Sequence, residues 1–387
     1  MNVLFAHDHI LRKFKDVYYT SGGLNQEVLN RYIRPNDKIY VYTRMTDIKE
    51  RPEETLRVDN ENIICEPSNI YHNPLDYYLK YKDIKNEAIK RLNNIDFCVI
   101  RLPSFIGGIV YKEVKRRNIP YIVEVVACAW DSLWYYGNIK AKLFAPIVYY
   151  KTKKEIKDAK NVIYVTEKFL QERYPTNGNQ VGCSDVSLPN VNNKEFLNNR
   201  KERINKNRNN KIILGTIGNV DVRCKGHKLA FKAISKLKKQ GYNIEYQLIG
   251  GGRGEKLKKL AQKLDIIENV KFMGIKPHEE IFDWLDNLDI YIQSSFQEGL
   301  CRAIVEAMSR ACPCIVSNVG GNSELINEKY IFKKGDVKRL YSKLLLLINS
   351  KENMEESSKQ NYTRSLDFEK EKLAAKRKKF YNAIIGE

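Results

Sequence analysis

EGLCRAIVE, residues 298–306, stands between a strand-like run at 289–293 (DIYIQ) and the helix that it opens. With Glu298 still in the loop and Glu306 inside the helix, the two carboxylates do not share a helical face. One stands at the carboxyl end of the strand, the other behind it, and both look into the same crevice. In open α/β sheets ligands collect beyond the carboxyl ends of strands, where helix N-termini offer unpaired N–H groups suited to phosphate. A carboxylate one turn into such a helix can accept two hydrogen bonds from a vicinal diol, and one in the preceding loop lies near whatever hangs off a diphosphate. Glutamates at a helix start also serve as caps and solvated charges, so the surroundings decide.

Outward from that stretch the pattern repeats. Apolar runs at 212–217, 244–249, 270–273 and 314–317 alternate with helical segments at 228–239, 255–264 and 278–285, which predicts a parallel sheet with helices on both faces. The strand ends carry glycine and charge. Gly218-Asn219 leads through Arg223 and Lys225 to Gly226, Gly250-Gly251-Gly252-Arg253-Gly254 follows the second strand, and Gly274-Ile275 the third. Ser294 to Glu298 follows the fourth strand and Gly320-Gly321-Asn322 the last. Together they predict a pocket suited to a nucleoside diphosphate.

The first half alternates in the same way, with strands expected at 2–6, 38–43, 96–101, 121–127 and 161–165. His7-Asp8-His9 and then Ser21-Gly22-Gly23 follow the first strand, and the glycines allow close backbone approach to a ligand or form a plain turn. Glu124 interrupts an apolar strand, which is costly unless the carboxylate is paired or faces a ligand, and Asp131 falls at the edge of the sheet. Both are expected to face the cleft, against the alternative of a cap paired with lysine. From Trp134 to Lys154, and again from Tyr77 to Lys82, aromatic residues interleave with lysines, as in an interfacial helix or an ordinary surface helix. The division expected is a first domain at 1–190, a polar linker at 191–210, a second domain at 211–350, and helices at 351–387 packing back across the first domain.

Composition bounds the partners. The 387 residues suffice for two domains, and 43% hydrophobic with 29% charged content is that of a globular protein. No apolar run approaches the roughly 20 residues that span a bilayer, and the first residues enter a strand rather than a signal region, so the chain reads as cytoplasmic. Eight scattered cysteines read as buried thiols, and Cys312 and Cys314 lack zinc spacing. A net charge of +20 fits nucleic acid, an anionic membrane or phosphorylated ligands. Part of it follows from an overall richness in Lys, Asn and Ile.

With these motifs in place, the chain resembles the retaining glycosyltransferases of the GT-B fold, family four, and within it the members that build capsule, O-antigen and exopolysaccharide chains. The resemblance covers most of 211–336 and is weak in the first half, at Ser21-Gly22-Gly23 and Leu188-Pro189-Asn190. It implies an α/β architecture of two Rossmann-like doubly wound domains facing a central cleft, the first binding acceptor and the second a nucleotide-sugar. It also implies that Glu306 holds ribose, Glu298 contacts the donor sugar and Lys225 neutralises the diphosphate. Donor contacts would come further from Gly22, Gly23, Gly218, Asn219, Arg223, Gly250, Gly251, Arg253, Gly274, Ile275, Gly299, Leu300 and Cys301. Two positions depart from the family pattern. Asn219 stands where an arginine is usual, with Arg223 available to replace its charge, and Ala127-Cys128 stands where a histidine is common, which leaves Asp131 or Glu124 as the first-domain catalytic group.

No Asp-x-Asp metal motif is present, so no metal and no cofactor is expected, with lysine, arginine and helix dipoles taking magnesium's place. The function expected is transfer from a nucleotide-sugar, UDP-linked, to a lipid-linked or growing saccharide acceptor, by an enzyme held at the inner face of the plasma membrane through the Trp134 to Lys154 region. The alternatives are a non-catalytic nucleotide-sugar-binding subunit and a GT-B-fold epimerase or phosphorylase. Nucleic acid is not expected as a partner, since no aromatic platform or zinc spacing supports it.

Overall fold

A computed structural model of the chain describes residues 1–20, 22–50, 55–72, 74–135, 139–189, 193–206 and 211–385. Val3, Leu4, Phe5 and Ala6 are fully buried, as a strand covered on both faces must be. Val3 and Phe5 belong to one apolar core, Leu4 and Ala6 to a second on the opposite face. The N-terminal lobe contains β1 (Asn2–Phe14), β2 (Val17–Thr20), β3 (Lys38–Asp47), β4 (Leu56–Arg57), β5 (Ile63–Cys65), β6 (Phe97–Leu102), β7 (Tyr121–Val125), β8 (Asn161–Tyr164) and β9 (Asn179–Gly182). β5, β3, β1, β6, β7, β8 and β9 lie side by side in parallel.

The sequence pattern ends the first strand at Ala6, but β1 continues to Phe14. The polar triplet His7-Asp8-His9 breaks the apolar run without ending the strand. It takes up a register shift against β3, after which β1 turns back on itself as antiparallel β2.

The C-terminal lobe contains β10 (Ile212–Ile217), β11 (Ile244–Ile249), β12 (Val270–Gly274), β13 (Ile290–Gln293), β14 (Cys314–Ser317) and β15 (Ile331–Phe332). They form a parallel sheet in the order β12-β11-β10-β13-β14-β15. The strand order reverses between β10 and β13, which opens a crevice at their carboxyl ends. Those ends face the carboxyl ends of β7 and β8, so two doubly wound lobes look at each other across a central cleft, the arrangement that the family resemblance implies.

Between the lobes the chain crosses twice. Leu188 and the returning Phe368 to Lys370 segment exchange backbone hydrogen bonds of 2.9 and 3.1 Å. Part of the span expected as a linker is a helix, Glu195–Lys206, held on the C-terminal lobe by Arg200, which donates to the carbonyls of Leu285 and Leu288, and by Arg203 with Asp289. Residues 190–192 and 207–210 of the expected junction lie outside the described residues, as does Ser21. Of the last helices, Lys351–Ser365 stays on the C-terminal lobe, where Asn361 donates to the Cys312 carbonyl. Lys370–Ile385 lies on the N-terminal lobe, with Leu373 and Tyr381 in its core.

Candidate active site

Gly226 has φ +72°, and a Cβ there would stand 1.9 Å from the Ser294 carbonyl oxygen. Only glycine lets the loop after β10 lie this close to the end of β13. Phe296 N–H donates to the Cys224 carbonyl at 2.7 Å and ties the two loops together. Lys225 thereby reaches Glu298, Nζ to Oε1 at 2.8 Å. Ser295 Oγ at 2.7 Å and Gln293 Nε2 at 3.2 Å also donate to Oε1, which leaves Oε2 without a partner among the described residues. Burial works against the charge of Lys225, yet Glu298 holds its ammonium above the usual lysine range. One of the three ammonium protons faces Glu298, and the others have no protein partner among the described residues.

Glu306 lies in the helix Arg302–Ser309, which opens after the β13 loop. Its side chain is 5% exposed, and its Oε1 accepts from His278 Nε2 at 3.0 Å with Arg302 at 4.0 Å. The bond to Glu306 holds His278 above the usual histidine range. Again Oε2 is unpartnered among the described residues. Sequence reasoning missed His278, although its place just past the end of β12 was a signal.

The remaining donor-side positions surround this pair. Asp221 accepts from the backbone N–H groups of Arg253 and Gly254 at 2.9 and 3.0 Å, clamping the loop after β10 to the one after β11. Asn219 accepts from Asp221 N–H and so works within the loop. Arg223 and Arg253 are exposed, and their guanidinium groups have no partner among the described residues. Gly250 and Gly274, with Val220 and Phe272, line a cavity of about 310 Å³. Gly218 lies against Lys225, Gly251 against Ile275, which is 56% exposed. Burial first, and then Glu298, pushes the Cys301 thiol up to about 12, so it is a packing group and not a thiolate. Leu300 packs against both cores.

The opposite wall comes from the N-terminal lobe. A Cβ on Gly299 would stand 2.5 Å from the Val126 carbonyl oxygen, and one on Gly321 2.9 Å from the Thr166 methyl group. Glu324 accepts from the N–H groups of Glu167, Lys168 and Phe169 at 2.6, 3.1 and 2.6 Å. Gly22 N–H donates to Thr20 Oγ1, and Gly23 has open space where a side chain would be.

Glu124 does not face the cleft as expected. It is 1% exposed, and it accepts from Tyr32 at 2.7 Å, from Arg101 at 2.9 Å, and from Arg377 of the last helix. Burial opposes its ionisation, but Arg101 and Arg377 hold it below the usual carboxylate range. Asp131 lies 3.6 Å from Arg173, while its neighbour Ser132 meets Gln297 at 3.5 Å across the cleft. The sequence reading gave no role to the triplet His7-Asp8-His9, which lies within β1 at its register shift against β3. Burial, then Arg101 and Arg44, brings His9 down to about 4, and His7 is also well below its ordinary value. Their position right after the apolar run at 2–6 was the available signal.

Comparison with known proteins adds the following. Residues 198–364 match the family described as Glycosyl transferases group 1. The chain is 36% identical to Protein CapJ of Staphylococcus aureus over all of its own length and 97% of that protein. It is 36% identical to the amylovoran biosynthesis glycosyltransferase AmsK of Erwinia amylovora, over 32% of this chain and 33% of AmsK. Among solved structures, sucrose-phosphate synthase from Thermosynechococcus elongatus superposes with a TM-score of 0.72 at 14% identity, covering 99% of this chain and 98% of that one.

Proposed function

Because the chain belongs to the GT-B glycosyltransferases related to capsule and exopolysaccharide biosynthesis enzymes, we propose that it is a retaining, metal-independent transferase. It moves a sugar from a UDP-linked donor to a lipid-linked or growing saccharide acceptor in cell-surface polysaccharide synthesis. The contact of Lys225 with Glu298 at the switch point carries this reading. As a nucleoside diphosphate leaves an anomeric carbon, negative charge grows on phosphate and positive charge on the sugar. Lys225, with donors still unused, meets the first, and the open oxygen of Glu298 meets the second. Arg223 and Arg253 add charge for the phosphates, the cavity beside Gly274 takes the base, and Glu306 Oε2 takes a ribose hydroxyl.

The test is transfer from radiolabelled UDP-sugars to membrane extract by the full chain. Lys225→Ala is expected to lower kcat by about 100-fold or more, and Glu306→Ala to abolish transfer without unfolding. Full activity in folded Glu306→Ala refutes the assignment. Binding without transfer or hydrolysis in the wild type favours a non-catalytic subunit, and free sugar released without acceptor favours an epimerase.

Attachment to the inner membrane face is part of the same proposal. On the helix Ile139–Lys157, Ile139, Leu143, Ile147 and Tyr150 are 77, 71, 61 and 67% exposed and form one stripe at helical spacing. Exposed Tyr78 packs on Phe144 at its edge, and Lys142 lies over the Trp134 ring. Apolar groups exposed beside lysines suit an anionic lipid surface. Among the described residues no helix is long and apolar enough to cross a membrane, and residues 136–138 lie outside them.

A further inference from the structure

The carboxylate of Glu306 depends on one neighbour. Its side chain is 5% exposed, and a charge withdrawn from water to that degree needs a hydrogen-bond donor. Among the described residues the one hydrogen bond to it comes from His278, Nε2 to Oε1 at 3.0 Å. Arg302, four positions earlier on the same helix, stands 4.0 Å away, beyond hydrogen-bond range, and is 46% exposed. An ionised carboxylate only accepts, so the ring nitrogen that faces it carries the proton. Glu306 also favours the protonated ring, in which both nitrogens donate.

The chain around His278 places it for this contact. Gly274 ends β12 at φ +70°, and Pro277, at φ −54° and ψ 147°, leads into the helix His278–Asp286 with His278 as its first residue. The ring therefore stands at the carboxyl end of the sheet, where the helix that bears Glu306 also begins. Phe282, one turn further on, meets it edge-on at 5.2 Å and fixes its plane.

The two helices do not need this bond in order to pack. About two turns further along, Arg310 Nε meets Asp286 Oδ1 at 2.7 Å and ties them together, and His278 is itself 56% exposed. What the bond governs is the carboxylate. With Oε1 taken by His278, Oε2 is left without a partner among the described residues and its direction is set. Without His278 the nearest cation is Arg302, whose long side chain can draw the carboxylate along its own helix and away from that direction.

We infer that His278 is a positioning residue for donor recognition. It holds Glu306 so that Oε2 meets a sugar hydroxyl of the nucleotide, and it thereby makes the site select ribonucleoside diphosphates over their deoxy counterparts. That Glu306 meets ribose rests on the transferase reading, whereas the control of its carboxylate by His278 rests on the geometry of the pair.

The test measures the binding of UDP and of 2′,3′-dideoxy-UDP to the full chain by titration calorimetry, with Tm recorded for each variant. The wild type is expected to prefer UDP by about tenfold or more, the loss of a hydrogen bond to a charged group. His278→Phe keeps a ring against Phe282 but has no donor. In it UDP is expected to bind about tenfold more weakly while dideoxy-UDP binds as before, so that the preference collapses. His278→Gln, whose amide N–H reaches the place of Nε2, is expected to restore most of the preference. A merely structural role would instead weaken both nucleotides alike and lower Tm. The proposal is overturned if folded His278→Phe keeps the wild-type preference or weakens both nucleotides equally. Equal binding of the two nucleotides by the wild type overturns the ribose contact of Glu306, and binding of neither removes the donor reading itself, so the two failures are told apart.

Discussion

Replacing Glu324 by alanine removes one carboxylate that joins the lobes. Its three acceptor contacts, at 2.6, 3.1 and 2.6 Å, cap the start of the helix Phe169–Arg173 from across the cleft. Hydrogen bonds to a charged group contribute about 1.5–3 kcal/mol each at most, but the three share one partly exposed carboxylate and water replaces them when the lobes part. Loss of a helix-capping side chain, about 2 kcal/mol at the upper end, is the better guide. That moves the closed-to-open ratio by about 30-fold. The other tie nearby, Arg364 to Glu167 at 2.9 Å, is half exposed and contributes at most about 1 kcal/mol, so Arg364→Gln serves as the control. Hydrogen exchange read on the amides of Glu167, Lys168 and Phe169 is expected to quicken strongly in Glu324→Ala and little in Arg364→Gln, with kcat/KM falling in the first. Unchanged protection of those amides in a folded Glu324→Ala protein refutes the reasoning.

Glu124→Ala leaves Arg101 and Arg377 buried without their carboxylate. It is expected to cost about 3–5 kcal/mol, seen as a lower Tm with kcat per folded molecule retained; a catalytic role would give the reverse. His278, raised above its ordinary value of about 6.5 by the hydrogen bond to Glu306, contributes stability that is complete below that value and lost as pH rises through the raised folded value. His278→Asn is therefore expected to flatten this basic-side decline in Tm between about pH 6 and 8, and an unchanged slope argues against the contact. Leu143→Asp with Ile147→Asp should lower partitioning onto anionic vesicles on the order of 100-fold, two exposed side chains at about 1.5 kcal/mol each, as read by co-sedimentation.

The C-terminal lobe was legible because each of its strand ends carries its chemistry locally. Lys225 and Glu298 are 73 positions apart, but they stand at the ends of β10 and β13, and the reversal of strand order there brings them together whatever the intervening chain does. The fate of Glu124 was not legible. Period-two alternation puts it on one face of β7 with Ile122, but what covers that face arrives 253 positions later, as Arg377. The span 191–210 misled through composition, since arginines that look solvated, such as Arg200, satisfy backbone carbonyls of the second lobe. His278 and Glu324 each act on a residue of another βα unit, and no local spacing records such a pairing.

The charge excess gains meaning from its distribution. From the sequence, +20 fitted nucleic acid, membrane or phosphate equally well. In the fold, Glu298 takes Lys225, and Glu245 takes both Lys211 and Lys271, so many cations are matched and exert no long-range pull. Those without acids of their own gather in specific places. Arg223 and Arg253 stand in the loops after β10 and β11, and Lys142 next to the apolar stripe. A nucleic-acid surface needs a continuous basic track with stacking platforms. Separate cationic points, one at the strand ends that line the cleft and one at an apolar face, offer no such track.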